Sequence, residues 1–230
     1  MTGFVDFLRF CPKSDAHFKE LFEGYSLAVC FISEDSTQEP ISEHLNEELK
    51  FECQSCRGHL IRAESVADLQ KKLRKARGFV GVMSSDAKVN REAIMRRKVD
   101  VLLDFEERSL DYASLKLAAE KDVVIEVSLS KFLRTRGFKR MVLLDETRLL
   151  LKLLLKFGTP FLLTSGAENV LELRPRKQLY SFFSFLARDA GIDYSKLLKL
   201  AEENSTKIFR RLADSNYLMD GLEIEGLTED

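Results

Sequence analysis

The sequence predicts an α/β fold, an irregular, seven-stranded βα-barrel of the TIM-barrel type, and three observations predict it. Short apolar runs rich in β-branched and aromatic residues recur along the chain, starting at Phe4, Leu27, Gly58, Phe79, Val99, Val123 and Phe161. Each is followed by a connection that is helical or long enough to hold a helix, which is the rhythm of parallel strands with crossover helices. The runs Val123–Val127 and Pro160–Leu163 are apolar throughout instead of alternating, as strands covered on both faces are. A chain of 230 residues accommodates such a barrel as one domain, spanning 1–230.

The elements follow in order. Phe4–Leu8 reads as a strand, Cys11–Asp15 as the loop into a helix over Ala16–Glu23, and Gly24 as its stop. Leu27–Ile32 is the second strand, and Ser33–Asn46 is acidic and polar, a long surface loop. Leu49–Cys53 and Gly58–Ala63 read as a hairpin whose second arm is the barrel strand. Ser65 to Asp68 fits a capping box opening a helix to Arg77, with Gly78 as its stop. Phe79–Met83, a helix over Asn90–Lys98, Val99–Leu103 and a helix over Leu110–Lys121 continue the alternation. Two helices, Arg176–Ala190 and Tyr194–Leu212, close the fold, and residues 214–230 form a tail with six acids and no base.

Composition excludes several classes. No apolar run reaches the roughly 18 uncharged residues of a membrane span, and the start lacks the pattern of a signal peptide, so a cytoplasmic, membrane-free protein is expected. The 36 basic and 37 acidic residues leave a net charge of −1, so any nucleic-acid surface must arise by local segregation of charge. Five Asn and four Gln beside 32% charged residues is the balance of proteins from hot environments. Four cysteines are too few for a disulfide scaffold; Cys53 and Cys56 with His59 could begin a zinc site, yet no second pair follows at the required spacing, and two ordinary thiols in a hairpin is the simpler reading. Phosphate-loop, nucleophile-elbow and dinucleotide-binding glycine patterns are absent.

Four basic clusters stand out. Lys71–Arg77 and Arg91 with Arg96, Arg97 and Lys98 occupy helix carboxyl ends, where the dipole stabilises cations without any ligand, and they precede strands, on the face of a barrel opposite the functional loops. The stretch Lys131–Arg140 differs. It has five bases, no acid and two phenylalanines, and lies between a strand's carboxyl end and the next helix, where cations are mildly unfavourable and call for an anionic partner. Arg174, Arg176 and Lys177 around Pro175 raise the same question. The candidate polyanion-binding set is therefore Arg62, Lys88, Arg91, Lys131, Arg134, Arg136, Lys139, Arg140, Arg174, Arg176 and Lys177 on one rim, weighed against a merely solvated face. For Arg174 the competing role is a salt bridge to Glu168 or Glu172. Phe132 and Phe138 could stack on bases, or anchor the loop in the core.

The motifs Ile125-Glu126-Val127-Ser128-Leu129, Pro160–Leu163 followed by Thr164-Ser165-Gly166-Ala167-Glu168, and Leu171-Glu172-Leu173-Arg174 resemble ribonuclease P protein component 3, the archaeal and eukaryotic subunit of about thirty kilodaltons. The likeness runs from Phe79 to about Leu212 and thins before that to Phe4-Val5-Asp6 and Leu60–Ser65. It implies a subunit that is not itself catalytic, stabilising an RNA that performs magnesium-dependent removal of the 5′ leader from precursor tRNA. It further implies a hetero-oligomer with ribonuclease P protein component 2, and no cofactor on the chain itself. The family in turn resembles the polymerase-and-histidinol-phosphatase barrels, which hold a metal cluster at this rim with many histidines. Here the corresponding place reads Asp6-Phe7-Leu8, and His17, His44 and His59 are scattered. Asp6, Asp86, Asp104 and Glu126 remain as carboxylates near strand ends, enough for a weak magnesium site or for hydrogen bonding within the rim. The alternatives are thus a metal-dependent phosphoesterase of that barrel family and a protein-only interaction scaffold.

Overall fold

Seven strands follow one another around one parallel sheet in the computed structural model, which describes residues 3–12, 20–33, 54–213, 217–219 and 222–223. They are β1 Val5–Leu8, β2 Leu27–Ile32, β3 Gln54–Arg62, β4 Phe79–Met83, β5 Val101–Leu102, β6 Val124–Ser128 and β7 Phe161–Thr164, paired in sequence order. The helices are α1 Val66–Lys75, α2 Ala87–Ile94, α3 Tyr112–Lys121, α4 Ser130–Arg134, α5 Gly137–Phe157, α6 Arg176–Asp189 and α7 Tyr194–Ala213. A small antiparallel pair, β8 Tyr217–Met219 and β9 Leu222–Glu223, follows them. The expected seven-stranded βα-barrel is what forms, nearly closed.

Period-two alternation divides its core in two. Val5, Phe7, Val29, Phe31, Phe79 and Leu103 point inward, and the rings of Phe7, Phe31 and Phe79 meet with centroids 5.2 to 6.0 Å apart. Leu8, Cys30, Ile61, Val82, Ile125 and Leu163 point outward against the helices. The crowded interior explains two glycines: a Cβ on Gly58 would lie 2.7 Å from the Phe31 ring, and one on Gly81 would lie 2.6 Å from both Phe31 and Leu103.

Closure is unusual because β1 and β7 share no ladder. A single bridge, Leu8 to Ala167, joins them, with the Arg9 amide donating to the Ala167 carbonyl at 2.8 Å. Below that bridge α7 lies against both strands and supplies hydrogen bonds that a further strand would otherwise make. Ser205 Oγ accepts from the Val5 amide at 2.7 Å, and Asn204 Nδ2 donates to the Phe161 carbonyl at 3.0 Å. Ile208, one turn on, is buried in the interior cluster.

Local boundaries depart from the sequence expectation in four places. Residues 54–57, expected as a hairpin turn, are barrel strand, because Gln54–Arg57 pair in register with Leu27–Cys30; the other arm, Leu49–Cys53, lies outside the described residues, as does most of the acidic loop and tail. The helix expected over Ala16–Glu23 is described only at residues 20–23, where 20–22 form a 3-10 turn leading into Gly24, whose φ is +84°. Helix α2 starts three residues earlier than expected, because the Asp86 carboxylate caps it by accepting from the amides of Lys88 and Val89. The basic stretch expected as a loop is mostly helical, α4 breaking at Thr135 and α5 beginning at Gly137.

If α7 seals the seam through its side chains, Ser205→Ala leaves the buried Val5 amide unpaired. It is expected to lower the unfolding free energy by about 1–3 kcal/mol, read from urea denaturation with an unchanged slope. Equal stability of variant and parent would show that the seam does not depend on that bond.

Candidate nucleic-acid interface

The mouth of the barrel, where the strands end, is filled by charge. Inward positions that carry valine and phenylalanine lower down carry Arg9, Glu126, Ser128 and Thr164 here, and Asp104, just past the end of β5, joins them; all but Arg9 are wholly or nearly buried as residues, and the Arg9 side chain is only 2% exposed. Asp104 accepts from the Ser128 amide at 2.8 Å, from Lys131 Nζ at 2.8 Å and from Arg108 Nη2 at 3.0 Å. Glu126 accepts from Thr164 Oγ1 at 2.6 Å, from the Asp104 amide at 2.6 Å and from Arg9. Arg108 also donates to the carbonyls of Leu102 and Glu126, and the Arg9 guanidinium lies 5.7 Å from the centre of the Phe31 ring.

Electrostatics follow from this packing. Burial alone would raise the Asp104 pKa, but Arg108 and Lys131 outweigh it and hold the carboxyl below its ordinary value. Burial pulls Lys131 below its ordinary value, with Asp104 opposing. On the outer side of the seam, the Ser165 amide and hydroxyl meet the Asp6 carboxyl at 2.7 and 2.6 Å. Burial, only partly offset by those bonds, pushes Asp6 up to about 7.

All four strand-end carboxylates thus have protein donors: Asp6 on Ser165, Asp86 on the α2 amides, Asp104 and Glu126 on three cations. Among the described residues no group of three or more His, Cys, Asp or Glu is placed to hold a metal ion. Cys53 lies outside the described residues; Cys56 sits in β3, its thiol pushed up to about 11 mainly by burial, and Cys30 is a buried core residue.

The predicted cations divide into two groups. Lys131, expected in a surface cluster, is buried and paired with Asp104, because its position in α4 turns it into the mouth. Arg134 is drawn into a cluster with Glu106, Glu168 and Glu172, at 2.6, 3.3 and 3.2 Å. Glu168 and Glu172 are the ones weighed as partners of Arg174, whose guanidinium instead donates to the carbonyls of Leu171 and Leu173 at 2.7 and 2.6 Å. Arg176 packs 3.4 Å over the Phe4 ring and reaches Glu202 at 3.5 Å, and Arg91 pairs with Asp111.

The second group is available. Arg62, Lys88, Arg136, Lys139, Arg140 and Lys177 are exposed. Arg62 Nη1 touches the Met83 sulfur, and Arg140 Nε donates to the Thr135 carbonyl, while Lys139 comes only within 3.9 Å of an equally exposed Glu107. Phe132 is buried against Phe182, whereas Phe138 is 79% exposed between the α5 cations. Sequence reasoning missed Arg9 and Arg108, which continue or face inward strand positions; the parity of Val5, Phe7, Arg9 was the signal that could have found the first.

Comparison with known proteins places this geometry. A family model described as RNase P subunit p30 matches residues 26–214. Ribonuclease P protein component 3 of Archaeoglobus fulgidus is 51% identical over 173 residues, 74% of this chain and 82% of that protein. The Methanococcus maripaludis protein of the same name is 28% identical over 176 residues, 73% and 74% of the two chains. Among solved structures, a chain in the cryo-EM structure of archaeal ribonuclease P with mature tRNA agrees in fold, with a TM-score of 0.72 at 24% identity over 98% of this chain and all of that one. No helix among the described residues is long and apolar enough to cross a membrane.

Two outcomes test the charged mouth. Because Asp6 keeps its proton to about pH 7 when folded, its contribution to stability is fully present below the ordinary pKa near 4 and is lost as pH rises towards 7. Asp6→Asn mimics the protonated form, so the stability of the parent relative to Asp6→Asn is expected to fall across that window, by about 1.4 kcal/mol per pH unit at most. Lys131→Met takes from the buried Asp104 one of its two cations, leaving Arg108, and is expected to cost about 1–3 kcal/mol in denaturant unfolding; a surface lysine would cost close to nothing.

Proposed function

We propose that this chain, which belongs to the RNase P subunit p30 family, serves as a protein subunit of ribonuclease P, binding and stabilising the catalytic RNA for removal of the 5′ leader from precursor tRNA. One observation carries the RNA contact. Arg136, Lys139 and Arg140 flank the exposed Phe138 at the amino end of α5, and no acid lies in that first turn. Cations there oppose the helix dipole by up to roughly 1 kcal/mol each, a cost that a polyphosphate backbone would remove. Phe138 adds a ring on which an unpaired base can stack.

The charge balance supports the same reading. Residues 34–53 carry seven acids and one base, and residues 214–230 six acids and no base. Of the 36 basic and 37 acidic residues of the whole chain, 35 and 24 therefore belong to the remainder, whose net charge is +11. A chain that is neutral in bulk has a strongly cationic body.

In this reading the RNA performs the chemistry with magnesium, the chain brings no metal of its own, and its protein partner is ribonuclease P protein component 2 in a hetero-oligomer. Precursor tRNA is met indirectly, in the cytoplasm. The phosphoesterase alternative would need Asp6, Asp86, Asp104 and Glu126 as metal ligands, and each already accepts bonds from the protein.

The test is precursor-tRNA cleavage reconstituted from ribonuclease P RNA and its protein partners with and without this chain. Activity or thermal tolerance should rise with the chain present. The triple change Arg136→Ala, Lys139→Ala, Arg140→Ala should weaken RNA binding and flatten its salt dependence by about 0.7–0.9 per lost phosphate contact. Cleavage and RNA affinity indifferent to the chain would overturn the assignment.

A further inference from the structure

At the opposite end of the barrel, the carboxyl ends of α1 and α2 enclose a pocket of about 330 Å³ lined by Gln70, Leu73, Arg74, Arg96, Arg97 and Lys98. Four of these six residues are cations. Glu92 is the carboxylate at their edge, and it accepts from both Arg96 and Gln70. Lys98 is fixed to the wall by donating to the Leu73 carbonyl at 3.2 Å. Arg74 and Arg97 are exposed and form no ion pair with another described residue.

The helix dipole accounts for only part of this concentration. Arg74 lies in the last turn of α1, where a cation gains about 0.3–1 kcal/mol. Arg96, Arg97 and Lys98 lie beyond the last residue of α2, outside that turn, and they follow a helix whose only last-turn base is Arg91, which is paired elsewhere. Four cations against one carboxylate leave a local excess of three positive charges around one concavity, and like charges so gathered repel unless an anion lies between them. The rim cluster provides the contrast: Lys131, Arg134 and Arg176 there are neutralised by protein carboxylates, whereas Arg74 and Arg97 meet no carboxylate among the described residues.

We infer that this pocket is a second phosphate-binding site, taking backbone phosphates of RNA at the end of the barrel remote from the α5 cations. The inference rests on the RNA-binding role proposed above and extends it: the two sites lie at opposite ends, so the barrel bridges two separate segments of one folded RNA. Arginine suits that task, since its planar fork can hold two phosphate oxygens at once.

The test is the double variant Arg74→Ala, Arg97→Ala in the full chain, titrated together with its protein partners into ribonuclease P RNA at several salt concentrations, beside the α5 triple. Loss of two phosphate contacts should weaken binding about tenfold or more at moderate salt and lower the salt slope by about 1.4–1.8, with the melting temperature lowered by no more than about 4 °C. Arg74→Gln, Arg97→Gln is the second variant should the alanines disturb folding, and Arg74→Lys, Arg97→Lys should recover most of the salt slope. Parental affinity and slope in the folded double variant, while the α5 triple loses both, would overturn this site and leave the subunit role standing. Lost assembly with the protein partners at unchanged RNA affinity would assign the pocket to an acidic protein surface and overturn it too. No RNA binding by the parent assembly would remove the subunit role itself, and this inference with it.

Discussion

Everything at the carboxyl end of this barrel depends on how the gap between β1 and β7 is held shut. One bridge and one backbone hydrogen bond are too little to close a seven-stranded sheet. The remaining closure is ionic and side-chain mediated: Arg9 reaches from the end of β1 to Glu126 on β6 inside, and Asp6 grips Ser165 outside. Buried charges are costly to desolvate unless every lone pair and proton is answered. Here the carboxylates are answered, Glu126 by Thr164, the Asp104 amide and Arg9, and Asp104 by Ser128, Lys131 and Arg108, while Nε and Nη1 of Arg9 have no hydrogen-bond partner among the described residues. The network is cross-braced over β1, β5, β6, β7 and α4, so removal of one member strands another.

That bracing shapes the function. Barrels with parallel strands usually keep an open hollow at this end for chemistry. In this protein guanidinium and ammonium groups occupy the space between the carboxylates, so positive charge that might have come from a bound cation is covalently part of the chain. In the proposed reading RNA is met at the periphery instead, at the amino end of α5 and the ends of α1 and α2.

The fold was largely legible because parallel strands buried on both faces are continuous apolar runs and their connections are amphipathic. Six of the seven strands begin within two residues of the expected start. The misses have specific causes. Residues 54–57 read as a turn ahead of a strand starting at Gly58, but they are strand, and Gly58 is a glycine because the Phe31 ring occupies the place of its side chain. The stretch Lys131–Arg140 reads as one basic loop, since nothing local reveals that Glu106 and Asp104, nearly thirty residues earlier, will neutralise Arg134 and Lys131. Lysine and arginine look alike in sequence whether they face solvent or a distant carboxylate; only the three-dimensional pairing separates Arg136 from Arg134.

The role of α7 bears on the order in which the molecule can be made. Ser205 and Asn204 complete the edges of β1 and β7, and they are synthesised some two hundred residues after β1 and forty after β7. A nascent chain that has released all seven strands still displays two open edges from a ribosome that has yet to deliver the helix. Completion of the barrel is therefore a late event, and the interval before it is when the sheet is most open to pairing with another chain.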